Sequence, residues 1–314
     1  FGKRKNAEFM KGHIFSEYIY KSYRYIKNHI PDPDVIIFEE DEQIVGYKKF
    51  QRQFPGKIVY HSHLHEKPRS RIYYDYVITV SEFCRREWLG LIPEGNAFVL
   101  RNGINPARFK KRMSIDEKIQ LRESFGITPD DFIVLYCGRL IPEKGVLELV
   151  TAITGISNEQ IRLLCVGSSA FAGGKKTEYT ERIQELALKH TGRIIFTGYV
   201  NNEELYKYQQ IADIQVIPSL CEEAAGLVAI EGMCAGLPLI VTRSGGLVEY
   251  VNEKCAMIVS KEAVVQNLMD AIVQARTDIK WRMRASRESL LQAEKFPEDK
   301  FYKNLVSLVS KISS

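Results

Sequence analysis

The chain has 314 residues, of which 45% are hydrophobic and 26% are charged, and these proportions exclude an intrinsically disordered or fibrous protein. Its net charge of +5 is only mildly basic, and without a recognisable binding module it argues against a nucleic acid partner. No apolar run reaches the roughly 18 to 20 residues that a membrane-spanning helix needs. The six cysteines form no C-x-x-C pair, which is typical of reduced cysteines in a cytoplasmic protein.

Short apolar runs alternate with amphipathic runs along the first third of the chain, which is the pattern of parallel α/β units. The apolar runs predict strands at 35–38, 57–61, 75–80 and 97–101, and the amphipathic runs predict helices at 14–26, 43–50 and 81–89. A charged stretch follows from about 107 to 131, where we place the joint between two domains.

The second half of the chain repeats this alternation more regularly. Strands are predicted at 132–137, 161–166, 193–196, 214–217 and 238–242, each followed by a helix. Continuous apolar strands of this kind are typical of a sheet covered on both faces. We therefore expect an α/β protein with two facing, doubly wound, Rossmann-like domains and a cleft between them. The expected bounds are 1–106 for the first domain, 107–296 for the second, and 297–314 for a final helix that crosses back to the first.

The loop after the 132–137 strand reads Gly138-Arg139-x4-Lys144-Gly145. In open α/β sheets, ligands bind beyond the carboxyl ends of the strands. Arg139 at the strand end and Lys144 at the start of the next helix would place two cations beside helix amides that also favour anions. A diphosphate suits this arrangement, and solvated loop charges are the alternative.

The loop after the 214–217 strand carries two glutamates, Glu223 and Glu231, with a helix expected to start near Ala225. Carboxylates only accept hydrogen bonds, which suits the hydroxyl groups of a sugar and a ribose. Gly226 would let the backbone approach a ligand, and the first amides of the helix are free donors. The alternative is that Glu222 or Glu223 complements the helix dipole and that Glu231 lies on a solvated face.

Two further strands end in glycine turns. Gly167-Ser168-Ser169 follows the 161–166 strand, and Gly245-Gly246 follows the 238–242 strand. Either turn alone is weak support for a ligand site, because glycine turns serve loops of every function.

Taken in order, the G-R-x4-K-G segment, the E-x7-E pair and the Gly245-Gly246 turn resemble the retaining GT-B glycosyltransferases of family four. The resemblance extends over about residues 57 to 312. Within that family the chain is most similar to bacterial lipopolysaccharide-core and surface-polysaccharide enzymes, namely N-acetylglucosaminyl- and glucosyltransferases. Supporting stretches include Lys57-Ile-Val-Tyr-His61-Ser-His63, Arg101-Asn-Gly-Ile104 and Thr197-Gly-Tyr-Val200. The resemblance implies the GT-B architecture.

The resemblance also implies roles for individual residues. Arg139 and Lys144 would neutralise the diphosphate leaving group in place of a metal, and Glu223 would hold hydroxyls of the donor hexose. Glu231 would hold the ribose hydroxyls, and His63 would reach the reacting sugar from the first domain. Amides at 225–228 would contact the donor sugar and phosphate, and the backbone at 199–200 would contact the base. The implied catalytic residues are thus His63, Arg139, Lys144 and Glu223, and the implied donor-binding residues are Gly138, Gly167, Tyr199, Val200, Ala225, Gly226, Leu227, Val228 and Glu231.

The function implied by the resemblance is transfer of a hexose, GlcNAc or glucose, from a UDP-sugar to a lipopolysaccharide, capsule or other surface-glycan acceptor, without a metal or other cofactor. The enzyme would be cytoplasmic, with peripheral contact to anionic lipid at the inner face of the membrane. The basic residues for this contact would be Lys3, Arg4, Lys5, Lys11, Lys48, Lys49, Lys67, Arg69 and Arg71, and solubilising surface charges are the alternative. The alternatives are a GT-B sugar-nucleotide epimerase or hydrolase, and a non-catalytic sugar-nucleotide-binding subunit.

Two short patterns invite a metal interpretation. His61, His63 and His65 alternate, which would put them on one face of a strand, but no cysteine lies near them and Glu66 is the one carboxylate beside them in sequence. Asp32-Pro33-Asp34 has the D-x-D form but precedes a strand instead of ending one. We therefore expect no metal site.

Two features depart from the family pattern. The family's opening strand with its glycine-rich loop is missing, so we expect the first domain to be incomplete. Ala224-Ala225 replaces the usual Pro-Phe after the first glutamate, which opens space beside the donor sugar.

Overall fold

The computed structural model describes residues 34–39, 54–65, 74–109, 111–168 and 177–313. The chain divides into two compact units, residues 1–101 with 302–314, and residues 102–301. The second unit begins before the expected joint because Ile104 is hydrogen-bonded on both sides to its far end. The Ile104 amide donates to the Phe296 carbonyl, and the Glu298 amide donates to the Ile104 carbonyl, both at 3.0 Å. The helices expected at 14–26 and 43–50, and the basic residues expected to face a membrane, lie outside the described residues.

The first unit contains a parallel sheet whose strands lie in sequence order. Its strands are β1 (Val35–Phe38), β2 (Lys57–Ser62), β3 (Tyr76–Thr79) and β4 (Ala97–Val99), and its first described helix is α1 (Glu82–Arg86). All four predicted strands are present, although β4 is two residues shorter than expected. Ser81 caps α1, because its side chain accepts a hydrogen bond from the Cys84 amide.

The second unit contains a six-stranded parallel sheet in the order β10-β9-β8-β5-β6-β7. Its strands are β5 (Phe132–Cys137), β6 (Ile161–Val166), β7 (Ile194–Gly198), β8 (Ile214–Ile217), β9 (Leu239–Thr242) and β10 (Ala256–Val259). Its helices are α2 (Ile115–Ser124), α3 (Val146–Gly155), α4 (Glu178–Leu188), α5 (Leu205–Ile211), α6 (Leu227–Cys234), α7 (Val264–Thr277) and α8 (Ile279–Ala293). The final helix, α9 (Glu298–Ser313), begins in this unit and ends in the first.

Helices cover both faces of the second sheet, as its continuous apolar strands predicted. Val134 faces a core that includes Leu149 and Ile272, whereas its neighbour Leu135 faces one that includes Ile230. Burying each of these side chains contributes about 1.5 to 3 kcal/mol. Among the described helices, none has the length and apolar content that crossing a membrane demands.

The strand order of the second unit locates its ligand edge. Numbered within the unit, the order is that of a doubly wound dinucleotide-binding sheet, and it reverses between β5 and β8. At such a reversal the loops after neighbouring strands diverge to opposite faces and leave a crevice at the carboxyl edge. The loops beginning at Gly138, Gly167 and Pro218 all start from this edge.

Candidate active site

A cavity of about 170 Å³ opens at the carboxyl edge of β5 and β6. A cavity of about 150 Å³ can hold one benzene-sized ring, so this one is large enough for a planar heterocycle. Seven predicted site residues line it, namely Gly138, Arg139, Gly167, Tyr199, Val200, Val228 and Glu231. The residues that the sequence assigned to a ligand site therefore include seven of the twelve that line this cavity.

The rim of the cavity depends on a close backbone approach at Gly167. Its φ is +145°, and a Cβ atom there would lie 1.8 Å from the carbonyl oxygen of Gly138. The amide of Gly138 donates to the Val166 carbonyl at 3.0 Å, which holds the two strand ends together. Glycine at this position is thus required by the backbone.

We expect Gly167→Ala to lower the free energy of unfolding by more than about 1 kcal/mol, because no L-residue fits this conformation without displacing the 138 loop. Thermal denaturation of the purified variants would measure the effect. Gly95→Ala is the control, because Gly95 has no positive φ and open space beside it. Equal unfolding midpoints for the two variants would contradict the prediction.

A second close approach joins the loop after β5 to the loop after β8. Gly145 ends a short 3₁₀ helix (Pro142–Lys144) with φ +66°, and a Cβ atom there would lie 2.0 Å from the Pro218 carbonyl oxygen. The amides of Leu220 and Cys221 donate to the Glu143 carbonyl at 2.9 and 3.2 Å. These contacts place Lys144 beside the glutamate loop.

Lys144 and Glu223 form an ion pair, with 2.5 Å between Lys144 Nζ and Glu223 Oε1. Their side chains keep 25% and 18% of their surface exposed, so the pair is half-buried. The sequence prediction placed Lys144 next to Arg139, at the diphosphate. In the structure Lys144 contacts Glu223, a pairing that the sequence did not predict, while Arg139 is exposed and lines the cavity.

The Glu223 carboxylate is held from a second side by buried hydroxyl groups. Ser219 Oγ donates to Glu223 Oε1, and the Gly246 amide donates to the Glu223 carbonyl at 2.7 Å. The hydroxyls of Thr242 and Ser244 donate to the Ser219 carbonyl at 2.6 and 3.0 Å. The Gly245-Gly246 turn therefore orients the glutamate loop, a role that its sequence did not reveal.

Arg139 is held at the cavity through its main chain. The buried Tyr136 hydroxyl donates to the Arg139 carbonyl at 2.6 Å, and burial raises the pKa of Tyr136 well above its usual range, so this donor stays protonated. Among the described residues, the Arg139 guanidinium forms no ion pair. Its charge is thus available to an anion in the cavity.

Glu231 lies in the second turn of α6, which begins at Leu227 and not near Ala225 as expected. Burial raises the pKa of Glu231, and the nearby Arg108 opposes that rise. Hydroxyl groups that donate hydrogen bonds to a half-buried carboxylate stabilise its charged form. The predicted alternative of a solvated face is wrong for Glu231, which lines the cavity.

The amino end of α6 is free of side-chain caps from the described residues. Its first amides have no partner within the helix, so they remain donors. Gly226 precedes them, but a Cβ atom there would meet the side chains of Leu247 and Tyr250 at 3.0 and 3.1 Å. Packing against these side chains therefore accounts for glycine at 226.

In the first unit, His61 and His63 lie together, with ring centroids 4.1 Å apart. The prediction that these histidines have no partner carboxylate beyond Glu66 is wrong. Parallel pairing of Phe38 with Tyr60 brings Glu39 opposite His61, with 3.8 Å between Glu39 Oε1 and His61 Nδ1. The ligand atoms of Glu39, His61 and His63 lie within 4.8 Å of one another, so this group has the donor atoms to hold a cation.

The strand alternation expected for the three histidines does not extend to His63 and His65, because β2 ends at Ser62. His65 lies 3.5 Å from Glu87, and its ring is 4.5 Å from that of Phe83. Burial lowers the pKa of His61 to about 4, helped by His63, and burial also lowers the pKa of His63. His61 and His63 are therefore largely neutral near neutral pH, which leaves His63 able to act as a hydrogen-bond donor or acceptor.

Five cavity residues were not among the predicted site residues, namely Cys137 and Val166, which end β5 and β6, and Ser168, Asn202 and Leu205. Ser168 directly follows Gly167, and Asn202 follows Val200, so both continue loops that were already assigned. Their polar side chains after strand ends were the available signal. Leu205 begins α5, and only the packing of that helix brings it to the cavity.

Family comparison supports a common origin with glycosyltransferases. The family model for glycosyl transferases group 1 matches residues 117–290, which is more than half of the chain. An uncharacterized glycosyltransferase of Methanocaldococcus jannaschii is 36% identical over 181 residues, covering 57% of this chain and 45% of that protein. The lipopolysaccharide 1,2-N-acetylglucosaminetransferase of Salmonella typhimurium is 28% identical over 228 residues, covering 69% of this chain and 59% of that enzyme. The chain spans about half the length of these curated relatives.

The fold also matches solved structures. The crystal structure of Anabaena HepE in complex with UDP has a TM-score of 0.81 at 18% identity, over 94% of this chain and 82% of HepE. At that identity the likeness shows the fold alone. The predicted α/β fold of GT-B type is thereby confirmed.

Proposed function

The chain belongs to the glycosyl transferases of group 1, and we propose that it transfers a hexose, with retention, from a UDP-sugar to a surface-glycan acceptor. The observation that carries this proposal is Glu231, a half-buried carboxylate beside Arg139 in a ring-sized cavity at the carboxyl edge of the sheet. Such a cavity offers an acceptor for hydroxyls and a cation for phosphate at one place.

The nucleotide half of the donor would occupy the cavity in one orientation. The base would lie against the backbone of Tyr199 and Val200, and Glu231 would accept hydrogen bonds from the ribose hydroxyls. The diphosphate would then meet Arg139 and the strand-end loops at Gly138 and Gly167. The structure of HepE with UDP supports a nucleotide in this fold and motivates UDP as the first nucleotide to test.

The sugar half of the donor would engage the ion pair. With no ligand, Lys144 neutralises Glu223. An arriving diphosphate would compete for Lys144, and Glu223 would then be released to accept hydrogen bonds from the hexose hydroxyls. The free amides at 225–228 would donate to the sugar and the phosphate.

Catalysis would be mainly electrostatic. When the bond from the anomeric carbon to the phosphate oxygen breaks, negative charge grows on the leaving diphosphate, and each fixed donor or cation there is worth about 10² to 10³ in rate. The departing phosphate can accept the proton of the acceptor hydroxyl, so no separate carboxylate base is required. Lys144 and Arg139 would supply this stabilisation without a metal, and His63 is the further residue proposed to act on the donor sugar.

The acceptor is proposed to be a glycan or glycolipid of the cell surface, with GlcNAc or glucose as the hexose. The name of the Salmonella relative, which acts on lipopolysaccharide, supports this choice. We propose that the reaction takes place in the cytoplasm at the inner face of the membrane.

The direct test is calorimetric titration of the full chain with UDP, GDP, ADP and UDP-sugars in EDTA. We expect UDP to bind with a Kd of about 1 to 100 μM without metal, and GDP and ADP to bind at least about tenfold more weakly. Release of UDP from UDP-GlcNAc and UDP-glucose with candidate acceptors then tests transfer. Absence of binding by any nucleotide would overturn the proposal.

The raised pKa of Glu231 predicts a pH dependence of binding. The carboxylate accepts hydrogen bonds from the two ribose hydroxyls more strongly than the protonated acid does, so UDP affinity should fall as the pH is lowered from neutrality. Glu231→Gln should bind more weakly throughout and show a shallower decline, since it lacks this titration. The UDP phosphate also titrates in both proteins. The quantity to measure is therefore the difference between the wild type and Glu231→Gln in the slope of UDP affinity against pH. Identical slopes would contradict the prediction.

A further inference from the structure

A second concave region lies at the opposite edge of the second sheet. It is a groove of about 540 Å³ whose floor includes Asp213 and the segment 235–238. These residues directly precede β8 and β9, whereas the candidate active site follows β5 and β6. Since all strands are parallel, the groove lies at the amino edge and is distinct from the candidate active site.

Positive charge surrounds this groove. Arg112, Lys118, Arg282 and Arg287 line it, against the single carboxylate of Asp213. None of these four cations forms an ion pair with a carboxylate in the described part of the chain. Asp213 is itself engaged, because its Oδ2 accepts from the Ile133 amide at 2.7 Å, and burial raises its pKa. The groove therefore favours an anion.

A buried amide in the groove has no partner. Gln209 is only 1% exposed, and neither its Oε1 nor its Nε2 has a hydrogen-bond partner among the described residues. Its neighbour Gln210 differs, because its Oε1 accepts from the Met113 amide and its Nε2 donates to the Lys111 carbonyl. A buried side chain that lacks both partners indicates a missing ligand or water, because leaving such atoms unpaired is costly.

Two of the cations are already positioned by the protein. Arg282 donates to the carbonyls of Ala275 and Arg276 and lies 5.2 Å from the centre of the Phe132 ring. Arg112 donates to the Phe109 carbonyl at 2.7 Å. Guanidinium groups held in this way lose little entropy on binding a phosphate and can bind it through two nitrogens.

We propose that this groove binds a phosphate-bearing small molecule, with Gln209 donating from its floor and Arg282 and Arg287 contacting the phosphate. The volume lies in the range of small-molecule sites and exceeds the needs of one phosphate ion. A phosphorylated sugar or a compound of similar size is the class that fits. The proposal does not depend on the function of the cavity at the carboxyl edge.

The experiment titrates the full chain with glucose 6-phosphate and with inorganic phosphate by calorimetry, in a Lys144→Ala background that weakens phosphate binding at the donor site. We expect glucose 6-phosphate to bind with a Kd of about 1 mM or less, and more tightly than phosphate. Arg287→Glu should weaken binding about tenfold and Gln209→Leu about fivefold. Arg284→Glu is the matched control, because Arg284 is exposed on the same helix outside the groove.

Several outcomes would overturn the proposal. One is no saturable binding of either probe up to about 10 mM. Another is binding that Arg284→Glu weakens as much as Arg287→Glu. A third outcome is that the soluble probes do not bind but the protein binds phosphatidylglycerol vesicles, and that Arg287→Glu abolishes the vesicle binding. The groove would then contact a lipid surface and not a soluble phosphate compound. A folded Gln209→Leu protein with unchanged affinity for glucose 6-phosphate would show that the Gln209 amide is hydrogen-bonded by water and not by the ligand.

Discussion

Lys144→Ala is expected to lower the turnover number by about 10²-fold or more while the protein stays folded. Lys144 is the cation that would neutralise the leaving diphosphate, and a preorganised charge acts mainly on the transition state. The effect should therefore appear in kcat more than in KM for the UDP-sugar. Steady-state release of UDP from the preferred donor measures it, and circular dichroism checks the fold.

The chain offers a matched control for this substitution. Lys261 forms an ion pair with Glu222, one residue before the proposed sugar-binding glutamate, so Lys261→Ala removes a similar contact from the same loop. We expect this variant to keep turnover within about twofold of the wild type, since exposed ion pairs contribute little. Equal losses in the two lysine variants would mean that loop stability, and not the Lys144 charge, is responsible.

A double-mutant cycle separates chemistry from the pairing of Lys144 with Glu223. If Lys144→Ala acts only by leaving Glu223 unpaired, then Glu223→Ala in the same chain should restore activity. If both residues contact the donor, the double variant should be at least as slow as Lys144→Ala. Recovery of turnover in the double variant would refute the proposed role of Lys144.

Glu231→Ala is expected to reduce UDP affinity by about 10²-fold or more. Two ribose hydroxyls would lose a charged acceptor, and each such hydrogen bond is worth about 1.5 to 3 kcal/mol. Calorimetric titration with UDP in EDTA gives the change directly. Uridine monophosphate should show a similar fold loss, because the contact is to the ribose and not to the second phosphate.

Glu288→Ala serves as the control for this variant. Glu288 is also half-buried in the second unit, but it lies in α8 and does not line the cavity. We expect the Glu288→Ala variant to bind UDP with the affinity of the wild type. If Glu231→Ala binds UDP as the wild type does, the ribose assignment is wrong and the nucleotide must bind elsewhere or in another orientation.

Strand positions were largely predictable because they depend on local runs of apolar residues. The runs at 132–137, 161–166 and 214–217 became β5, β6 and β8 with those bounds. β10 (Ala256–Val259) was missed, because four residues between charged segments give little periodicity to read. The late start of α6 at Leu227 was missed for a related reason, since Ala224 and Ala225 are compatible with a helix and only tertiary contacts hold them in the loop.

Loop positions were predictable because parallel strands bring their carboxyl ends to one edge. This rule alone placed Arg139 and Glu231 in one neighbourhood, although 92 positions separate their numbers (231 − 139). It could not reveal which partners they meet. The pairing of Lys144 with Glu223 was not predicted, because it depends on the backbone contact of Gly145 with Pro218.

The sequence by itself determined the family, the α/β class, the positions of most strands and the loops that carry the candidate site, because these depend on local patterns and on the order of motifs. Only the tertiary structure decided the Lys144–Glu223 pair, the meeting of Glu39 with His61, and the basic groove around Gln209. Each of these joins residues from separate elements, so it depends on strand order, strand register and helix packing. Such contacts arise from the free energy of the whole fold and leave no signal in the spacing of residues along the chain.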